Sequence, residues 1–124
     1  MSVELALDIS GTSLNGAGSV HVDVQGTNNG STTVRNGAGA YAFFLIDPNG
    51  NFVPGFQATG LQPQFIEIIQ PGAGFAWSFN FTAPAVQVDA TYTLVCYFQQ
   101  TQDESTQTFT FAPAAAPAPQ LVTA

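Results

Sequence analysis

Across 124 residues, charged side chains make up 7%, against about 25% in an ordinary domain, and eight carboxylates against one arginine, Arg35, leave a net charge of −7. One cation cannot neutralise a run of phosphates or hold an anionic membrane surface, so neither nucleic acid nor a membrane is an expected partner. Apolar residues at 45% are ample for one folded domain with its own core.

In chain order, nearly every apolar run alternates with period two, the pattern of strands with one face buried. Val3, Leu5, Leu7 and Ile9 predict a first strand, and "GTSLNGAG" a loop after it. Val20, Val22 and Val24 predict a second strand, with His21, Asp23 and Gln25 on its other face. "GTNNGST" and "RNGAG" read as turn or loop segments. "AYAFFLID" is a third strand, closed by the turn signal "DPNG". Residues 51 to 63 read as irregular, "QFIEIIQ" as a strand and "PGAG" as a turn. In "FAWSFNF", Phe75, Trp77, Phe79 and Phe81 share one face, and Ala76, Ser78 and Asn80 the other. "TAPAVQVDA" is a loop, and "TYTLVCYFQ" and "STQTFTF" are the last strands, joined around "TQDE". No stretch has helical periodicity, and no internal repeat is visible.

About seven short strands predict an all-β fold, a single antiparallel Greek-key β-sandwich over residues 1–112. Residues 113–124 are rich in proline and alanine and predict an extended C-terminal arm, which at ~3.1 Å per residue would reach roughly 35 Å. "MSVELALDIS" has neither a basic region nor a long apolar run, so no signal peptide is expected. The longest apolar run, Tyr41 to Ile46, is too short to span a membrane. The chain is expected to be made in the cytoplasm and to end in a virion or a surface assembly.

"DATYTLVC" resembles the tyrosine corner of immunoglobulin-like domains, in which a Tyr at the entry to a strand ties the preceding loop to it. Asp89, Ala90 and Tyr92 carry the match. Cys96 departs from it, lying four residues after Tyr92 with no second cysteine to pair with, and Trp77 sits in a different strand from that family's core tryptophan. The resemblance implies an immunoglobulin-like sandwich and no particular activity. The chain also resembles bacterial intracellular proteinase-inhibitor domains, in an aromatic strand running into Asp47-x-x-Gly50, a Pro71-Gly72 turn and Tyr92-Thr93-Leu94. That likeness implies a binding module whose loops contact a protease.

Several residues invite chemical readings. His21 and Asp23 can pair on one strand face, but a nucleophilic triad also needs a positioned serine and an oxyanion hole, and no Gly-x-Ser-x-Gly is present. Asp47, Asn49 and Asn51 occupy positions 1, 3 and 5 of a calcium loop, yet position 6 is Phe52 and position 12 is Ala58. One His and one Cys cannot supply a zinc site. Cys96 shares parity with Tyr92, Leu94 and Phe98 and reads as a core thiol. The expectation is therefore no catalytic residue, no metal, no cofactor and no enzymatic activity.

The more informative pattern is apolarity on two sides. If Tyr41, Phe43 and Leu45 face the core, Phe44 and Ile46 face out, and in an immunoglobulin-like arrangement Val95 and Tyr97 lie beside them; the opposite register exposes Tyr41, Phe43 and Leu45 instead. Either residues 51–63 cover this patch or a partner does. The leading expectation is a structural subunit, such as a capsid-decorating or surface-filament protein. It would build a homo-oligomer or larger assembly through Phe44, Ile46, Val95 and Tyr97, with Pro113, Pro117 and Leu121 of the arm as further contacts. The alternative is a carbohydrate-binding or proteinase-inhibitor type of module.

Overall fold

The structure is a computed structural model, which describes residues 2–59 and 66–113. Among these the fold is all-β, with nine strands: β1 (Val3–Leu14), β2 (Ala17–Asn28), β3 (Val34–Asn36), β4 (Tyr41–Ile46), β5 (Gln57–Thr59), β6 (Glu67–Ile69), β7 (Gly74–Ala83), β8 (Thr91–Phe98) and β9 (Asp103–Pro113). Seven form one sheet in the order β4-β8-β9-β1-β2-β7-β5, and β3 and β6 form a second, two-stranded sheet.

Alternation along the strands decides which side chains meet. Phe43 on β4 lies 4.7 Å from Phe79 on β7, and Phe98 on β8 lies 5.6 Å from Phe75, centroid to centroid. The large sheet therefore curls until its two ends face each other over a shared aromatic interior. Val20, Val22, Val24, Leu94, Cys96, Phe98 and Phe111 fill that interior and are fully buried. Phe75, Trp77, Phe79 and Phe81 all pack on the core, as their spacing predicts.

The sheet is mixed rather than antiparallel. β1 and β9 run parallel where Gly11, Thr12 and Ser13 meet Phe111, Ala112 and Pro113. Period-two patterning reports which face a residue takes and is silent on strand direction, so this pairing is invisible in sequence. Pro113 sits at the strand end, where a missing N–H interrupts no continuing ladder.

Other departures have local causes. "GTSLNGAG" is mostly strand, because Asn15 (φ 54°) and Gly16 (φ 81°) alone turn the hairpin between Leu14 and Ala17. Two successive positive φ values make the tight turn whose twist matches the flanking strands, and Asn-Gly is the sequence that tolerates them. β3 and β5 fall in segments read as loop or irregular. Each is three residues long and exists through its partner, β3 on β6 and β5 on β7. The strand expected over "QFIEIIQ" shortens to Glu67–Ile69, with Gln64 and Phe65 outside the described residues.

Two buried asparagines anchor the connections at one end of the fold. The Asn28 side chain donates to the carbonyls of Thr32 and Ile69 at 2.8 and 3.1 Å and accepts from Gly30 N–H at 3.0 Å. The Asn36 amide donates to the Ala76 carbonyl at 3.2 Å and accepts from the Tyr41 hydroxyl at 2.6 Å. Every polar atom of an interior amide needs such a partner.

Candidate functional site

β4 carries large apolar residues at consecutive positions, so a strand of any register must turn some of them outward. Tyr41 and Leu45 are buried, and Phe43 packs between Phe79 and Phe81. Ala42, Phe44 and Ile46 take the outer face. On β8, Tyr92, Leu94, Cys96 and Phe98 are buried, which leaves Thr93, Val95 and Tyr97 outside. The antiparallel register sets Phe44 opposite Val95, Ala42 opposite Tyr97 and Ile46 opposite Thr93. Phe44, Ile46, Val95 and Tyr97 thus share one sheet face, as the sequence predicts.

Phe52 is a further member that the strand pattern misses. The Asp47–Asn51 turn folds the chain back, so Phe52 bridges to Ile46 and Val53 N–H donates to the Leu45 carbonyl at 2.8 Å. The Phe52 ring lies 5.9 Å from that of Phe44. The signal was present in "DPNG" followed by "NFV", a turn with an apolar residue returning beside the strand it leaves. Phe44 is 46% exposed and Phe52 70% exposed. Phe52 therefore extends the apolar face, while Val53 and Phe56 turn to the core and β5 lies on β7 at the other edge of the sheet; residues 60–63 of this segment lie outside the described residues.

Charge is distributed unevenly around this face. Its neighbours on β9 are Thr106 beside Val95, Thr108 beside Thr93 and, at the rim, Glu104 beside Tyr97. The outer face of β1 and β2 instead holds Glu4, Asp8 and Asp23, with Asp8 directly opposite Asp23. Of the arm residues, Pro113 lies opposite Ser13 at the end of β9. Pro117 and Leu121 lie outside the described residues.

The other candidates have settled local roles. Asp47 accepts from Asn49 N–H and Asn51 N–H, each at 2.9 Å, so its carboxylate is used in its own turn. Among the described residues, no three of His, Cys, Asp and Glu come together as a metal could require. Cys96 is buried and unpaired, and burial pushes its thiol up to about 12. His21 pairs with Asp23 at 3.0 Å, and the Ser78 hydroxyl donates to the same Asp23 oxygen at 2.5 Å. The serine thus hydrogen-bonds the carboxylate and not the imidazole, which is not the order that activates a nucleophile.

Tyr92 stands at the start of β8, and its hydroxyl accepts from Gln87 N–H at 2.9 Å. Asp89, between them, has φ 61°, a left-handed conformation that Asp tolerates better than most residues. The loop before β8 is therefore pinned to the strand by the tyrosine. The chain matches no protein-family model and no curated protein.

Proposed function

We propose that this chain is a non-enzymatic structural subunit that assembles with copies of itself through the outer face of β4 and β8. One observation carries the reading: Phe44 and Phe52 present adjoining, mutually tilted rings to solvent beside Val95, on a chain with almost no charge on that face. Exposed apolar patches of this kind mark contact sites. A second copy suits it better than an acidic or basic partner. Two copies meeting here keep Glu4, Asp8 and Asp23 on surfaces that point away from the contact. The arm, residues 113–124, is a second element of the assembly in this reading. A repeating array, such as capsid decoration or a surface filament, is the setting for such a subunit.

We read the fold as immunoglobulin-like. What supports this reading is strand order: the run β1-β2-β7-β5 and the run β4-β8-β9, joined into one sheet by the parallel β1–β9 pairing, resemble the two sheets of that architecture. The Tyr92–Gln87 bond, a tyrosine at a strand entry tied to the preceding loop, supports the same reading. A second reading, a binding module, is favoured by Arg35, the sole cation, which is exposed and lies opposite the exposed Ile68 on the β3–β6 sheet. Thermal stabilisation by a carbohydrate or a protease would support the module. The assembly reading is tested by sedimentation of the whole chain over a wide concentration range: self-association supports it, and a monomer throughout removes it.

A further inference from the structure

We propose that the outer face of β1, β2 and β7 carries a proton-operated clasp centred on His21. Both ring nitrogens of His21 face acceptors. Nδ1 lies 2.7 Å from Asn80 Oδ1 on β7, and Nε2 lies 3.0 Å from Asp23 Oδ1 on β2. A neutral imidazole has one N–H, so it can donate to only one of them. The imidazolium donates to both, and it is the protonation state this geometry accommodates without change.

The charges around the ring act in the same direction. From β1, Asp8 stands directly across from Asp23, and Ser10 directly across from His21. From β2 the facing group is Asp23. From β7 the facing groups are Asn80 and Ser78, both neutral, and Ser78 holds Asp23 in place. Facing carboxylates destabilise a strand pair, and a cation bonded to one of them, as imidazolium is to Asp23, offsets part of the repulsion. His21 is held above its ordinary value, chiefly by the Asn80 bond, against some desolvation, with Asp23 and Asp8 adding to the rise. Losing the proton therefore removes the positive charge beside Asp23, which also offsets the nearby Asp8. It also forces the Asn80 amide either to release Nδ1 or to turn over and offer its own Nδ2–H.

Because the folded value is raised, the clasp's contribution is fully present below the ordinary histidine value of about 6.5 and is lost as pH rises through the folded one. His21 is the sole histidine, so its ring resonances are unambiguous in an NMR titration of the whole chain. The expected result is a midpoint above about 6.5 that moves down in both Asn80→Ala and Asp23→Asn. The melting temperature should also fall by about 1–4 °C between roughly pH 5.5 and 8, a drop that His21→Gln abolishes. A midpoint at or below the ordinary value would overturn the clasp. So would a midpoint that neither variant moves, or a melting profile over this window that is unchanged in His21→Gln. Sedimentation at both pH values keeps the clasp separate from the assembly face, since the ring titration is read on monomer and oligomer alike.

Discussion

Phe44 and Phe52 lie ring against ring on the outside of the protein, centroids 5.9 Å apart and planes inclined at 58°. They come from opposite sides of the Asp47–Asn51 turn, so the turn that closes β4 also builds the apolar surface. Substitution here should leave the fold intact. Phe44→Ser is expected to change unfolding free energy by less than about 1 kcal/mol in urea titrations, because the ring is not part of the interior.

Gly26 is a position where the interior forbids a side chain. A Cβ there would come within 2.2 Å of the Phe75 ring, which lies across from it on β7 and is itself buried. The ring cannot swing into solvent without leaving the core. Gly26→Ala is expected to destabilise the protein by about 1–3 kcal/mol, read from the denaturation midpoint at constant m-value.

Removing the Tyr92 hydroxyl tests the tie between β8 and the loop before it. Tyr92→Phe keeps the ring contacts with Phe109 and Phe111 and deletes the acceptor for Gln87 N–H. The expected cost is about 1 kcal/mol. Hydrogen exchange at Gln87 should accelerate well beyond that of its neighbours.

Cys96 should be chemically silent in the native state. Burial raises its thiol to about 12, so almost no thiolate exists at neutral pH, and the sulfur is fully enclosed. A thiol reagent such as a disulfide dye should react only at the rate of unfolding. Fast stoichiometric labelling of folded protein would contradict this placement.

Acid sensitivity should pass through Asp103. Burial alone would raise its carboxyl, but the Thr101 hydroxyl beside it and the Val3 and Ser2 N–H groups, at 2.8 and 3.1 Å, outweigh that and hold it below its ordinary range. A depressed folded value means that the stabilisation is present above about pH 4 and is lost as pH falls through the lower folded value. Asp103→Ala should be less stable than the parent at neutral pH, with a shallower acid limb in thermal unfolding. Equal slopes in the two proteins would assign the acid transition to other carboxylates.

What could be read from sequence follows from what period two encodes. It encodes facing, so the inward set of β7, the valines of β2 and the outward Phe44 and Val95 were all legible. It does not encode partner or direction. The parallel meeting of Gly11–Ser13 with Phe111–Pro113 needs three-dimensional closure, and β3 and β5 are too short to show a pattern of their own, whereas β6 was legible within "QFIEIIQ". Phe52 was missed for a related reason: a lone apolar residue after a turn has no period, and its place depends on the hydrogen bond from Val53 to Leu45. The Asn15–Gly16 turn was legible in principle, since an Asn-Gly pair between strands is a strong hairpin signal.

If the Phe44–Phe52 face joins copies of the chain, charging it must separate them. The most direct test is sedimentation velocity of the parent and of a Phe44→Asp/Phe52→Asp double variant across a wide concentration range, at about 0.15 M salt so that the net charge is screened. Concentration-dependent association is expected in the parent and a monomer in the double variant, with matching circular dichroism. A parent that stays monomeric at the highest concentration, or a double variant that associates as the parent does, would contradict it.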